Sequence, residues 1–283
     1  MKRKLLTTIA FSSLLLAACQ NEEIEESNEN EEDITENVSE DENTEQEEVK
    51  EDAVDDQASD EEDEEIEYLY EINPETFSVV PSNSEEESEK LALLTFDDAP
   101  YGNSLKIADT LEANDLSAIF FVNGMYMEDE EGFNVIKELH ERGFEIGNHT
   151  HTHLNLGEQS EEVQKREISK TNDIIEEAIG EKPRFFRAPH GVMTDYSKSL
   201  LTEEGMTWMN WSFGYDWHAE YQDADALTEI TLNTPYLSDG ANILMHDREW
   251  TAEAVPEIIE GLEEADYKIV DPKFIVNDNE LEE

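Results

Sequence analysis

Leu91-Ala92-Leu93-Leu94-Thr95-Phe96-Asp97-Asp98 is an apolar run that ends on two adjacent carboxylates. It has the length and composition of a strand, and the acidic pair marks where the chain leaves it. Further strand-like runs follow at Ser117–Val122, Phe144–Gly147, Arg184–Arg187, Thr207–Trp211, Ala241–His246 and Tyr267–Val270. Between them, helical spacing covers Ser104–Ala113, Asn134–Arg142, Glu158–Ile179, Tyr196–Glu204, Ala224–Leu232 and Ala252–Glu264. Gly143, Gly180 and Gly205 stand where helix ends favour a left-handed residue. This alternation of strands and helices predicts an α/β fold with a parallel sheet, closed or nearly closed into a barrel; an open doubly wound sheet is the alternative.

Upstream of Lys90 the character changes. The 283-residue chain carries 74 Asp and Glu against 18 Lys and Arg, a formal charge of -56. Residues 20–67 are rich in Glu, Asp and Asn and poor in apolar side chains, so they cannot bury enough surface to offset ordering entropy. They predict a disordered acidic tether. Residues 68–90 are more apolar at first and predict a short N-terminal clip and linker. Residues 91–273 form the expected folded domain, and 274–283 an acidic C-terminal tail. The folded part is itself acidic, with 42 Asp and Glu against 13 Lys and Arg from Leu91 onward. That balance excludes nucleic acid as a partner, because phosphates are repelled, and points to a protein adapted to high salt.

Residues 1–19 read as an export signal: Lys2, Arg3 and Lys4, then a mostly apolar stretch too short to span a membrane comfortably. Leu16-Ala17-Ala18-Cys19 resembles a bacterial lipobox and contains the only cysteine of the chain. The resemblance implies that Cys19 is lipidated, which anchors the exported protein to the outer face of the cell membrane. A monomer is expected.

In barrels the chemistry gathers where strands end, and the unusual polar residues fall there. His149 and His153, in Gly147-Asn148-His149-Thr150-His151-Thr152-His153-Leu154, are four apart and can face one ion. His151 alternates with them and points away if the segment is extended, which assigns it to the surface or groove. A carboxylate from Asp97 or Asp98 would complete a two-histidine, one-carboxylate site with open positions. Adjacent carboxylates at a strand end face opposite ways, so one can bind the ion while the other acts as a base toward water. The donor set suits a borderline divalent ion and does not choose among Zn²⁺, Co²⁺, Ni²⁺ and Mn²⁺, of which Zn²⁺ is the one expected. Arg187 leaves the apolar pair Phe185-Phe186 and needs a carboxylate partner, for which Asp97 and Asp216 are candidates. His246, after Ile243-Leu244-Met245, is placed to act as a general acid. Trp217 and Leu244 can wall an apolar slot.

Taken in order, these segments resemble the polysaccharide deacetylase family, the NodB homology domain of carbohydrate esterase family 4. The resemblance covers about Leu91 to Val270. It is carried by Thr95-Phe96-Asp97-Asp98-Ala99-Pro100, by His149 to His153, by Arg187-Ala188-Pro189-His190-Gly191, by Asp216-Trp217 and by Leu244-Met245-His246. It implies a distorted (β/α)7 barrel and metal-dependent hydrolysis of N-acetyl groups on sugars. Asp97 would be the general base, with Asp98, His149 and His153 as ligands of one divalent ion and His246 as the general acid. Arg187 would orient Asp97, and Asp216 would hold Arg187. Leu244 and Trp217 would line the acetyl pocket, and the His190 N–H after Pro189 would help stabilise the oxyanion. The sequence departs from the family pattern at Ala99 (usually Gly), Leu154 (usually Pro) and His190 (usually aromatic), and the fourth motif lacks an upstream Asp. Peptidoglycan, at N-acetylglucosamine or N-acetylmuramic acid, is the expected substrate. Chitin-type oligomers and O-acetyl esters are alternatives, as is a non-enzymatic lipoprotein that binds polysaccharide or metal.

Overall fold

The strand that opens the sequence reading is the one the sheet is built on. In the computed structural model, which describes residues 67–83 and 89–277, every residue of Lys90–Ala99 except Lys90 and Asp98 is buried. The export signal, Cys19, the tether up to residue 66 and the tail beyond residue 277 lie outside the described residues.

The strands are β1 (Tyr70–Ile72), β2 (Val79–Pro81), β3 (Lys90–Ala99), β4 (Ile119–Val122), β5 (Glu145–Asn148), β6 (Phe185–Phe186), β7 (Thr207–Trp208), β8 (Phe213–Gly214), β9 (Ala241–His246) and β10 (Tyr267–Ile269). The helices are α1 (Ser104–Ala113), α2 (Glu130–Glu141), α3 (Glu161–Ile179), α4 (Asp195–Glu204), α5 (Ala224–Asn233) and α6 (Glu249–Glu264). The main sheet runs β7-β6-β5-β4-β3-β9-β8, parallel throughout, and β10 pairs with the start of β3. Its two edge strands are consecutive in sequence: β7 pairs with β6, and β8, four residues on, pairs with β9. The sheet therefore curls until one short stretch of chain touches both of its edges. This is the nearly closed barrel expected. The seventh strand of the path is Phe213–Gly214, however, and Tyr267–Ile269 pairs only with the first three residues of β3, Lys90 to Ala92. Two residues are too short to carry a readable period.

Alternation along β3 divides the core. Leu91 and Leu93 face the barrel interior with Ile119, Phe121, Phe185 and Met209. Ala92, Leu94 and Phe96 face the helix layer, against Ile107, Leu111, Val255 and Ile258. Gly147 is glycine because the interior is full there: a Cβ would lie 2.5 Å from the Phe121 ring. The helix ends follow local chemistry. Asp129 caps α2 through Gly132 N–H, which starts that helix at Glu130 instead of the expected Asn134, and Ser160 caps α3. Gly143, Gly180 and Gly205 all have positive φ, as read from sequence.

The end of the barrel opposite the strand C-termini is covered by the N-terminal hairpin and the last described residues. β1 pairs with β2, Tyr70 bridges Ile275, and Val79 N–H donates to the Gly240 carbonyl. Phe274 to Asn277 are thus part of the fold and not of an acidic tail. Ile275 is fully buried against Tyr70 and Val79, and Arg184 donates to its carbonyl. Two apolar residues, Ile275-Val276, cover an interior that water would otherwise reach. Ile275→Ala is expected to cost about 2–5 kcal/mol in urea unfolding, whereas a solvated tail residue would cost nothing measurable.

Candidate active site

The inner face of β3 continues Leu91, Leu93, Thr95, Asp97, so alternation alone delivers Asp97 to the interior at the strand's C-terminal end. Strict alternation would send Asp98 outward. Instead its φ is 61° and the β3–β4 register breaks between Phe96 and Ala99, so that both carboxylates line one cleft. The expectation that they face opposite ways fails for this reason. His149 follows β5 on the inner side, beyond Gly147. Thr150 (φ 66°) and His153 (φ 57°) then turn the loop back over the rim. Of seven non-glycine residues with positive φ among the described residues, Asp98, Thr150, His153 and His190 belong to this site. Such backbone costs on the order of 1–3 kcal/mol per residue and persists where surrounding contacts enforce it. Here Asn123 donates to the His149 carbonyl, Asn148 accepts from Thr150 N–H, and Glu167 accepts from the Thr152 N–H and hydroxyl.

Asp98, His149 and His153 offer three ligand atoms within 4.8 Å of one another. Asp98 Oδ1 lies 3.5 Å from His153 Nε2 and 3.9 Å from His149 Nε2, too far for hydrogen bonds. Two ligands of a tetrahedral zinc-like ion, each about 2.0–2.2 Å from it, sit roughly 3.4 Å apart, so the set fits one divalent cation. His149 Nδ1 is 2.7 Å from the Arg187 carbonyl, which assigns the proton to Nδ1 and turns the Nε2 lone pair toward Asp98. Burial and the neighbouring His149 push the His153 pKa down to about 4, so its ring is neutral and able to ligate at neutral pH. Burial raises the Asp98 pKa, but His149, His246, His153 and Arg248 together outweigh it and hold the carboxyl below its ordinary value.

Asp97 is tied on one side. Arg187 Nη1 donates to its Oδ1 at 2.8 Å and to Thr95 Oγ1 at 2.7 Å. Its Oδ2 faces the histidines, 3.5 Å from His149 Nε2. Arg187 is fully buried, and its Nη2 donates to the Asn210 carbonyl and Asn242 Oδ1, while its Nε–H has no hydrogen-bond partner among the described residues. Asp216, the second candidate partner of Arg187, does not hold it. Asp216 accepts instead from His246 Nδ1 at 2.8 Å, from His246 N–H and from the Thr251 hydroxyl. The reason is topological: Asp216 follows β8, which pairs with β9, and β9 ends at His246. Burial works to lower the His246 pKa, but the hydrogen bond and charge of Asp216, with Asp97 and Asp98 beyond, raise it above the ordinary imidazole value.

An open cleft of about 490 Å³ collects these groups. Leu244 and Trp217 line it as expected, with the Trp217 ring edge-on to His246 at 5.6 Å. His190 lines it as well, 5.0 Å from the His153 ring, while Pro189 is buried behind it in a short 3-10 turn. Sequence reasoning passed over Trp211, Gln222, Arg248 and Trp250, which also line the cleft. Arg248 donates to Asp98 Oδ2 at 2.7 Å, and Trp250 Nε1 donates to the Asp216 carbonyl. Both follow His246 within four residues, a proximity that was available as a signal. His151 is buried, not exposed: its Nε2 contacts Lys170 and Glu128 on the far side of the loop, away from the ligand set.

Residues 84–209 match the family described as polysaccharide deacetylase. The chain is similar to two peptidoglycan-N-acetylglucosamine deacetylases of Bacillus cereus. One is 34% identical over 54% of this chain and 54% of the relative. The other is 30% identical over 66% of this chain and 71% of the relative. The chain spans about half the length, or less, of the first curated relatives it matches. Among solved structures, the family 4 carbohydrate esterase from Streptomyces lividans in complex with acetate superposes with a TM-score of 0.57 at 27% identity, covering 64% of this chain and 92% of that one. A family 4 pseudoenzyme from Bacillus anthracis gives 0.59 at 29% identity, covering 65% and 64%. Likeness of fold therefore does not by itself carry activity, which depends on the side chains at the site.

Asp98→Ala and His149→Ala are each expected to abolish stoichiometric binding of Zn²⁺ or Co²⁺ in titration against a chromophoric chelator. His151→Ala should keep it, because its ring faces Lys170 and Glu128. Loss of binding in that variant, still folded by circular dichroism, would refute the ligand assignment.

Proposed function

The chain belongs to the polysaccharide deacetylase family, and from that premise we propose that it hydrolyses N-acetyl groups of cell-wall peptidoglycan, at N-acetylglucosamine or N-acetylmuramic acid, with one divalent metal ion as cofactor. The observation that carries this reading is a single cleft in which a restrained carboxylate, a three-residue ligand set and an aspartate-backed histidine meet. Asp98, His149 and His153 would hold the ion, Zn²⁺ in the first instance. When bound, such an ion supplies a Lewis acid that polarises the acetyl carbonyl.

The chain's own residues carry the proton transfers. Asp97 Oδ1 is committed to Arg187, which leaves Oδ2 to accept a proton from the attacking water. As that water's oxygen bonds to the acetyl carbon, negative charge develops on the carbonyl oxygen, where the His190 N–H contributes a hydrogen bond. His246, held protonated by Asp216, then donates to the departing nitrogen as the carbon–nitrogen bond breaks. The products are acetate and an amino sugar. Leu244 and Trp217 form an apolar wall suited to the acetyl methyl. Chitin-type oligomers and O-acetyl esters present the same reacting group, and measured rates on each rank the substrates. The sequence of residues 1–19 further supports export and anchoring through a lipid on Cys19.

Acetate released from purified peptidoglycan fragments tests the reaction. It should disappear with chelator and return with Zn²⁺. Asp97→Asn and His246→Ala should each lower kcat by about 10²–10⁴-fold while the ligand residues still bind metal. In the same assay across pH, the alkaline limb of kcat should report loss of the His246 proton and be shifted upward from the ordinary imidazole value. Because Asp216 raises that pKa, Asp216→Asn should move the limb to lower pH. Near-normal rates in the first two variants, or an unmoved limb in the third, would sink these roles. For the anchor, Cys19→Ala should prevent incorporation of labelled fatty acid; labelling that persists would eliminate Cys19 as the attachment point.

A further inference from the structure

One fully buried polar side chain of the barrel interior takes no part in the proposed reaction. Asn242 stands near the start of β9, among Leu93, Phe121 and Met209. An amide in such surroundings is costly unless its hydrogen bonds are met. Asn242 Oδ1 accepts from Arg187 Nη2 at 3.1 Å. Its Nδ2 donates to the Phe77 and Asn210 carbonyls, each at 3.2 Å. Phe77 lies in the turn between β1 and β2, at the end of the barrel opposite the cleft. One amide therefore connects the N-terminal hairpin to the arginine that restrains Asp97.

The direction of these bonds gives the connection its content. A carbonyl can only accept and a guanidinium can only donate, so one orientation of the amide satisfies both sides. Turned over, it would set its NH2 group against Arg187 Nη2. The Asn210 carbonyl is already shared with Arg187 Nη2, whereas the Phe77 carbonyl faces Asn242 from outside the sheet. Arg187 is sensitive to this orientation because its Nε–H is unbonded among the described residues. Its guanidinium is aimed by the Nη groups, Nη1 on Thr95 and Asp97 and Nη2 on Asn210 and Asn242.

The Phe77 carbonyl is firmly placed. Phe77 has a φ of 56°, a backbone that persists where its surroundings enforce it. Its N–H donates to the Asn73 carbonyl, and Asn73 Oδ1 accepts from the Glu75 and Thr76 N–H groups. The Phe77 ring meets Trp208 on β7 with centroids 5.1 Å apart. Gly240, just before β9, lets the hairpin approach: a Cβ there would fall 2.4 Å from the Val79 carbonyl oxygen.

We propose that Asn242 and the Phe77 carbonyl are positioning groups for the reaction: the hairpin fixes the Asn242 amide, the amide aims Arg187, and Arg187 presents Asp97 to the attacking water. The inference rests on the deacetylase reading for the role of Asp97. It makes the hairpin part of the catalytic support and not only a cover on the barrel.

The test uses the full chain and three variants. Asn242→Leu removes both ends of the connection. Phe77→Pro cannot adopt a φ of 56° and so displaces the carbonyl. Ile72→Ala loosens the packing of the hairpin but leaves its turn intact. Two readouts are taken: kcat and KM for acetate release from peptidoglycan fragments, and the side-chain ¹⁵N–¹H signals of Arg187, assigned by their loss in Arg187→Lys. Asn242→Leu and Phe77→Pro should each lower kcat about 10–100-fold and move the Arg187 signals, with KM changed less than about twofold. The double variant should be no slower than Asn242→Leu alone, because the two act through one path. Ile72→Ala should lower the urea midpoint and leave kcat unchanged. Normal kcat in Asn242→Leu or Phe77→Pro, additive losses in the double variant, or an Ile72→Ala protein as slow as Phe77→Pro would overturn the proposal. If circular dichroism shows Asn242→Leu unfolded, the comparison of Phe77→Pro with Ile72→Ala decides. If wild type releases no acetate, the deacetylase reading fails and the Arg187 signals decide: moved by Phe77→Pro, the connection stands; unmoved, it falls as well.

Discussion

A guanidinium at the centre of a curled sheet is tolerable only where its charge and most of its N–H groups are met, and the buried Arg187–Asp97 pair, with both Nη groups bonded, is the contact on which the rest of the rim depends. Arg187 extends from the end of β6 to Asp97 and Thr95 on β3, to Asn242 on β9 and to the Asn210 carbonyl before β8. One side chain thus links segments from across the sheet. Removing a single partner of such a pair typically costs about 3–5 kcal/mol, because the other charge is left buried and alone. The same residue also sets the chemistry on both sides of it. Its guanidinium occupies one oxygen of Asp97 and leaves the other facing the site, while its backbone carbonyl fixes the tautomer of His149. The proposed base and the proposed ligand are therefore oriented from one position.

Around that pair the rim is built against the regular geometry of the strands. Asp98, His153 and His190 reach the cleft only because their backbones are left-handed. The contacts that sustain this backbone are buried and polar: Asn123, Asn148 and Glu167 hold the histidine loop, and Asp247 holds the turn after Ala99. Each is a side chain whose hydrogen bonds are satisfied by backbone groups that would otherwise lack partners. The site is in this sense supported by the second layer of polar residues as much as by the sheet.

Electrostatics are arranged unequally over the molecule. The folded portion is short of cations, and most of those it has are spread over separate surface pairs. Arg142 meets Asp109, Glu112 and Glu138 on the surface, while Arg187 and Arg248 are kept at the site, each on one of the paired aspartates. The remaining carboxylates repel one another over the surface, an effect that salt screens within about 8–10 Å at ordinary ionic strength. The two site arginines are screened far less by salt, because burial keeps ions away from their partners.

Much of the fold and most of the site were legible in the sequence. Strand and helix periods locate the parallel sheet, and polar residues at strand ends locate Asp97, Asp98, His149, His153, Arg187 and His246. What the sequence misplaced has a common cause. Asp216 was assigned to Arg187 when its partner is His246, because a partner across the rim depends on which strands pair, and β8 is too short to show a period. Asp98 was expected to point away from Asp97, because a left-handed non-glycine residue leaves no mark in the residue order. His151 was expected outside, and is buried because the loop folds back so that its ring meets Lys170 on α3 and Glu128 ahead of α2. Ile275 and Val276 were read as a tail, because two apolar residues among acids acquire meaning only beside the open end of a barrel. Periodicity is a local property and determines which faces exist and where chemistry can be mounted. The partners those faces meet, and the strain that turns a side chain off its strand, are set by packing between distant segments, and only the tertiary structure decides them.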